Sequence, residues 1–294
     1  MNKKRRILSV LIIVCLLISC SAVSSFAASG NYVKLQATQD YGDAQKVLKL
    51  INKQRTKRGL RKLKLDKGLT KSAAKRAAEL TVYIPESSPH RRPNGKLTKS
   101  INGKIKYECC AEGYETPGSV VSGWMSSPPH KKGILLSSAR SVGIGCITTG
   151  SGEKFWTLEF SSSGASKKET RKKAVTSTYK VSSKAEYLKK KNFNIGLMDQ
   201  YGYDPYSYPT VYVGESSKAA VFFTNKFGFS TPLKGSWFTW ESSKPSVAVI
   251  DKYGKITPKK AGTVTITAKM KGAMNYIIKT KLYVESYDDY DDFY

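Results

Sequence analysis

Helix-period patterning fills the first 130 residues of this chain, and strand patterning fills almost everything after residue 141. The strand–helix–strand alternation of a parallel doubly wound sheet is absent. The order therefore predicts an α+β unit followed by an all-β unit. Ala44, Val47, Leu48 and Ile51 recur at i, i+3, i+4 and i+7, one apolar helix face ending near Gly59. Asp66 is placed to cap a second helix with Leu69, Ala73, Ala77 and Leu80 on its buried face. Thr116 as N-cap and Pro117 at the first position open a third, with Val120, Val121 and Trp124 inward. Ser141–Ile147 is a short apolar strand, and Phe155–Phe160 alternates with Trp156, Leu158 and Phe160 on one face.

The later strand candidates are Thr210–Val213, Ala219–Phe223, Gly235–Glu241, Ser246–Ile250, Thr263–Lys269 and Tyr276–Val284. They are rich in β-branched and aromatic residues, separated by turns such as Lys252-Tyr253-Gly254-Lys255, and their spacing suggests a sandwich. Between the two units, residues 164–190 carry nine basic and two acidic side chains and few large apolar ones. They read as a solvated basic linker. The tail, residues 287–294, is acidic and aromatic and reads as solvated.

The start has the plan of a secretion signal over residues 1–27. Lys3, Lys4, Arg5 and Arg6 precede an apolar run from Ile7 to about Val23. Two exits are open. Ser25-Phe26-Ala27 favours cleavage before Ala28, whereas Leu17-Ile18-Ser19-Cys20 resembles a lipobox that would lipidate Cys20. An uncleaved anchor is the remaining alternative, because the run is near the minimum of about 17 residues. The chain carries +28, and removing the leader's four basic residues leaves +24. That field calls for polyanionic surroundings. Export argues against nucleic acid and for anionic cell-wall polymers or a membrane surface.

Cys109, Cys110 and Cys146 remain after cleavage, an odd number in an oxidising space. Neighbours on a strand point to opposite faces, so at most one of Cys109 and Cys110 can meet Cys146. Cys110–Cys146 is the disulfide candidate. The chain has two histidines, His90 in SSPHRRPNG and His130 in SSPPHKKGIL, with Glu108 between them. Spacings of 18 and 22 residues match no local metal motif, and two loop histidines taken alone read as surface residues.

From Gln45 to Phe160 the chain resembles the CAP superfamily, the cysteine-rich secretory, antigen 5 and pathogenesis-related proteins, in a compact bacterial form. The matching stretches are LINKQRTKRGLRKLKLDKGL, SPHRRPNG, YECCAEGYETPGSVVSGWMSSPPHKKGILL, SVGIGC and FWTLEF, in the family's order. The resemblance implies an α-β-α sandwich over residues 41–163 and a cavity lined by His90, Glu108 and His130. Glu108 takes the place of the acid in the family's Gly-Glu-Asn strand, although that strand here reads Tyr107-Glu108-Cys109. Ser127 stands where many animal members carry a second acid. Two imidazoles and a carboxylate suit a divalent metal such as zinc, with His90 and His130 as ligands, or a histidine–carboxylate general base. No activated nucleophile accompanies them. A carboxylate beside Cys109 or Cys110 raises a thiol's pKa, and Ser127 lacks a third partner for a triad.

WESSKPSVAVIDKYGKITPKKAGTVTITAKMKG resembles a bacterial immunoglobulin-like domain of group 2, implying a sandwich over residues 205–286. Trp240, Val247, Val249, Ile256, Val264 and Ile266 are its expected core. The combination implies a secreted, envelope-associated protein that binds a lipid, peptide or protein ligand in a His/Glu-lined cleft, with an immunoglobulin-like spacer. The alternatives are a metal- or histidine-assisted hydrolase of peptide or wall material, and an adhesin acting through its second domain.

Overall fold

A computed structural model describes residues 30–87, 90–198 and 209–287. The leader with both of its exits, and the end of the acidic tail, lie outside these residues. The first unit opens with β1 (Tyr32–Gln39), α1 (Tyr41–Thr56), β2 (Lys64–Leu65) and α2 (Lys67–Leu80). It continues with β3 (Tyr107–Glu112), α3 (Pro117–Ser126), α4 (Pro128–Ile134), β4 (Ser141–Thr149), β5 (Lys154–Ser161) and β6 (Val175–Ser182). The strands form one sheet in the order β3-β5-β4-β1-β6, with β2 added parallel to β4.

Local chemistry sets the helix starts. Asp40, Asp66 and Thr116 accept hydrogen bonds from the backbone N–H groups of Asp43, Leu69 and Ser119 at 2.9, 2.8 and 3.1 Å. Each satisfies a donor that the first turn leaves without an intrahelical partner. Helices α1, α3 and α4 cover one sheet face through Val47, Ile51, Val121, Trp124 and Ile134. Helix α2 lies on the other. There a Cβ on Gly143 would sit 2.2 Å from the Leu69 carbonyl carbon, and one on Gly145 would sit 2.3 Å from the Ala73 oxygen. The two glycines and the alanines of α2 let helix and sheet approach closely, completing the expected α-β-α layers.

The second unit comprises β7 (Phe193–Leu197), β8 (Thr210–Tyr212), β9 (Ser217–Thr224), β10 (Ser230–Pro232), β11 (Phe238–Ser242), β12 (Ala248–Ile250), β13 (Lys255–Pro258), β14 (Gly262–Met270) and β15 (Ile277–Glu285). One sheet runs β10-β9-β13-β12 with β7 also on β9, and the other runs β11-β14-β15-β8. Trp240 is buried as core, its indole donating to the Gly235 carbonyl at 3.0 Å. Ile256, Val264 and Ile266 join it. On β12 the phase differs from expectation: Ala248 is fully buried, and Val249 stays outside the core cluster. The N–H groups of Val247 and Ala248 both bond to the Lys244 carbonyl, so a helical turn precedes the strand. A one-residue shift of this kind swaps the faces of a strand.

The basic stretch expected as linker is structured. Its strand β6 pairs with β1 along its whole length, from Tyr32↔Ser182 to Gln39↔Val175. It is the sheet's edge strand, and most of its side chains are exposed. Upstream, Asp66 accepts from both the backbone and the hydroxyl of Ser166, and the Glu169 N–H donates to the Leu65 carbonyl. Nor are the two units separate bodies. Val33, Leu35, Leu80, Val82 and Phe155 of the first share one apolar cluster with Phe193, Val221, Leu233 and Trp237 of the second. Phe155 and Phe229 meet edge-on at 5.6 Å, and Asn225 donates to the buried Thr81 carbonyl at 3.2 Å.

The Cys110–Cys146 disulfide is not formed; all three cysteines are free thiols. Strand β5 lies between β3 and β4, which places their backbones about 10 Å apart. A disulfide spans Cα atoms no more than about 7 Å apart. Cys146 also faces the helical layer of α1 and α3 together with Cys109, whereas Cys110 packs against the opposite cluster.

Candidate functional site

Strand β3 turns Glu108 and Cys110 toward the α2 side of the sheet, two residues apart on one face. The helix supplies Arg76. Its guanidinium is fully buried, with Nε 3.3 Å from both carboxylate oxygens of Glu108 and Nη2 donating to the Arg91 carbonyl at 3.2 Å. Glu79, one turn on, receives Arg92 at 2.5 Å, and Arg92 also reaches Ser100 at 3.0 Å. These contacts pin the loop immediately after His90, at Arg91 and Arg92. The His90 Nδ1 lies 2.9 Å from Glu108 Oε1, and the Cys110 thiol donates to the same oxygen at 3.0 Å.

Burial pushes the Glu108 carboxyl up, but Arg76, His90 and Cys110 together outweigh it and hold it below the ordinary carboxylate value. An ionised Glu108 fixes the proton of His90 on Nδ1 and leaves Nε2 as the open nitrogen. His130, at the start of α4, faces the same cleft of about 260 Å³, whose walls include Leu97, Ile105, Tyr107 and Pro129. Burial first and His90 second lower its pKa, favouring the neutral ring. Among the described residues no hydrogen bond joins the His130 ring to Glu108, His90 or Ser127. The cleft thus holds one oriented imidazole and one unoriented one. Burial and Glu108 raise the Cys110 thiol well above its usual value, so it is no nucleophile.

The metal ligands expected from sequence were His90 and His130. The side chains that converge are His90, Glu108 and Cys110, whose ligand atoms all lie within 4.8 Å of one another. Their separations of 2.9, 3.0 and 3.9 Å compare with edges of about 3.3–3.6 Å in a tetrahedral zinc site. This donor set would suit a thiophilic divalent ion only if the ion displaced the proton that His90 Nδ1 shares with Glu108; His130 is not part of it. Sequence reasoning passed over Arg76, and the signal was there. It sits between Ala73 and Ala77 on the helix face that carries the core.

Beneath α2 lies Glu159, fully buried and bonded to the Ser72 hydroxyl, which also bonds to the Leu69 carbonyl at 2.9 Å. One hydroxyl hydrogen cannot serve both bonds, so a neutral Glu159 donates to Ser72. Burial raises its pKa well above the usual value. A raised folded-state pKa stabilises below the ordinary carboxyl pKa, and that contribution is lost as pH rises. Glu159→Gln is therefore expected to flatten the fall in stability between a pH near the ordinary carboxyl value and a mildly alkaline one. Urea midpoints at the two pH values check it, and equal slopes in variant and wild type would contradict the assignment.

Residues 48–160 match the model of the cysteine-rich secretory protein family, CAP, and residues 234–270 match that of the intimin immunoglobulin-like domain. The chain carries a CAP domain followed by an immunoglobulin-like domain. Over 120 residues it is 35% identical to the uncharacterized protein YkwD of Bacillus subtilis, spanning 40% of this chain and 46% of that protein, about half its length. Solved structures similar in fold include an outer surface protein from Borrelia burgdorferi, at 20% identity and TM-score 0.36, over 48% of this chain and 99% of that one. Another is an extracellular SCP-domain protein from Bacillus anthracis, at 20% identity and TM-score 0.35, over 42% of this chain and 41% of that one. No described helix is long and apolar enough to cross a membrane.

Proposed function

We propose that this is a secreted, envelope-associated binding protein whose ligand enters the cleft between His90 and His130. The observation that carries the reading is the buried chain Arg76–Glu108–His90. It spends a full charge pair to orient one imidazole, while among the described residues no nucleophile is activated and no hydrogen bond orients the His130 ring. That is the arrangement of a recognition site rather than of a triad. The leader and the net charge support export and attachment to anionic wall polymers or a membrane surface. Native mass spectrometry of the protein secreted by its own host tests the reading. A bound ligand should be present in wild type and absent in His90→Ala, with no turnover of wall peptides. Turnover that depends on His90 would replace binding with hydrolysis.

The convergence of His90, Glu108 and Cys110 favours a second reading, metal loading at the same cleft. A bound zinc would act there as a Lewis acid toward the ligand. Protein equilibrated with zinc is expected to hold one ion in wild type and in His130→Ala, and none in Cys110→Ala. Loss in His130→Ala with retention in Cys110→Ala would move the site to the two histidines.

A further inference from the structure

Where β1 and β6 of the CAP domain meet the immunoglobulin-like domain, a groove of about 290 Å³ is lined by Lys34, Lys180, Lys234 and Lys271 with Tyr32 and Trp237. We infer that this groove is a binding site for a phosphodiester polymer, held by the four ammonium groups. The inference rests on the wall-polymer part of the proposed function and gives it a location.

Three features distinguish the groove from a diffusely basic surface. First, Lys34 and Lys180 are direct cross-strand partners on β1 and β6. Like charges in that position destabilise a sheet, so the pair costs stability unless an anion lies between them. Tyr32 relieves part of the repulsion, with Lys180 4.1 Å and Lys34 5.9 Å from its ring centre. Secondly, no carboxylate lines the groove, and none of the four lysines makes an ion pair among the described residues. Thirdly, Trp237 stacks on Tyr32 at 5.5 Å, and its indole N–H is buried without a hydrogen-bond partner among those residues. A buried donor left over is rare and costly. It lies 4.0 Å from where a Cβ on Gly272, another lining residue, would stand.

The walls are rigid. The Lys234 N–H donates to the Lys34 carbonyl, and the Lys271 N–H donates to the Trp237 carbonyl, each at 3.0 Å. Two of the lysines come from each domain, so the shared core fixes the spacing of all four. The chemistry also selects among anions. Arginine forks match planar carboxylates bidentately, whereas lysines act as point charges that tolerate a flexible run of monoanionic phosphates.

The test measures binding of a synthetic glycerol-phosphate oligomer across a salt series, with the full mature chain. Lys34→Gln, Lys180→Gln, Lys234→Gln and Lys271→Gln combined should weaken binding at least about tenfold at physiological salt and flatten the salt slope by about three. A control of equal charge change, with Lys259, Lys260, Lys279 and Lys281 each replaced by Gln, should alter it less than about twofold. Equal weakening by both quadruple variants overturns the groove and leaves a diffuse wall attraction standing. No binding of the oligomer by wild type at low salt overturns both. Binding only to phosphatidylglycerol vesicles, lost with the groove lysines, overturns the polymer as ligand and puts a lipid headgroup in its place.

Discussion

Replacing Arg76 with methionine is expected to cost about 3–5 kcal/mol of folding stability at neutral pH. The guanidinium is fully buried and faces the largely buried carboxylate of Glu108 at the cleft wall. Methionine fills much of the volume but leaves that carboxylate buried with only His90 and Cys110 to satisfy it. Glu79 suffers less, because Arg92 still reaches it at 2.5 Å. Against a total stability of about 5–15 kcal/mol, the loss would be large. It should also depend on pH. Glu108 has a lowered folded-state pKa, so its contribution is present above the ordinary carboxyl value and fades as pH falls. Acidification therefore narrows the gap between Arg76→Met and wild type. Combining Arg76→Met with Glu108→Leu should recover most of the loss, since apolar replacement of a buried pair is often neutral. Urea titrations at neutral and acidic pH measure all three. A gap of under about 1 kcal/mol, or one that widens in acid, would mean that the pair does not hold this side of the cleft.

Arg76 also shows what the sequence could and could not disclose. Helix starts at Asp66 and Thr116 were readable, because a cap is a contact between residues three apart. An α+β unit and then a sandwich of β-strands followed from periodicity, and the α-β-α layering and the cleft's His90, Glu108 and His130 from a resemblance to a family. The place of Arg76 on the core face of its helix signalled burial, but its partner, Glu108 on a strand 32 residues later, could not be read from that face. Cys110 was read as a disulfide partner because sequence does not reveal that β5 would lie between β3 and β4. Strand β6 went unseen for a different reason. An edge strand with solvated side chains has no apolar alternation, and what holds it is backbone pairing to β1, which composition does not record. The β12 register failed by one residue at a turn, which is enough to exchange Val249 for Ala248.

The shared core leads to the second large effect. Leu233 is 4% exposed, pairs with Leu35 across the domain junction, and bonds through its N–H to the Val221 carbonyl at 2.8 Å. Leu233→Ala is expected to cost about 2–5 kcal/mol, as large-to-small changes in a packed core do. Because the cavity opens in a cluster to which both domains contribute, the full chain should unfold in one transition, and the variant should move all of it. Independent domains would give two transitions, with only the later sequence's one displaced. Truncation sharpens the contrast. A chain ending after Ser183 keeps β6 but exposes Val33, Leu35, Val82 and Phe155, a contiguous apolar face of the kind monomers rarely leave open. It should bind a hydrophobic dye and lose its cooperative transition, while the full chain does neither. A truncated CAP domain that melts as sharply as the whole protein would show that the junction is a dispensable contact. A broadened melt would show that the immunoglobulin-like domain covers the part of the sheet face that α2 leaves open. In that case the distance between the histidine cleft and the lysine groove is set by packing rather than by a tether.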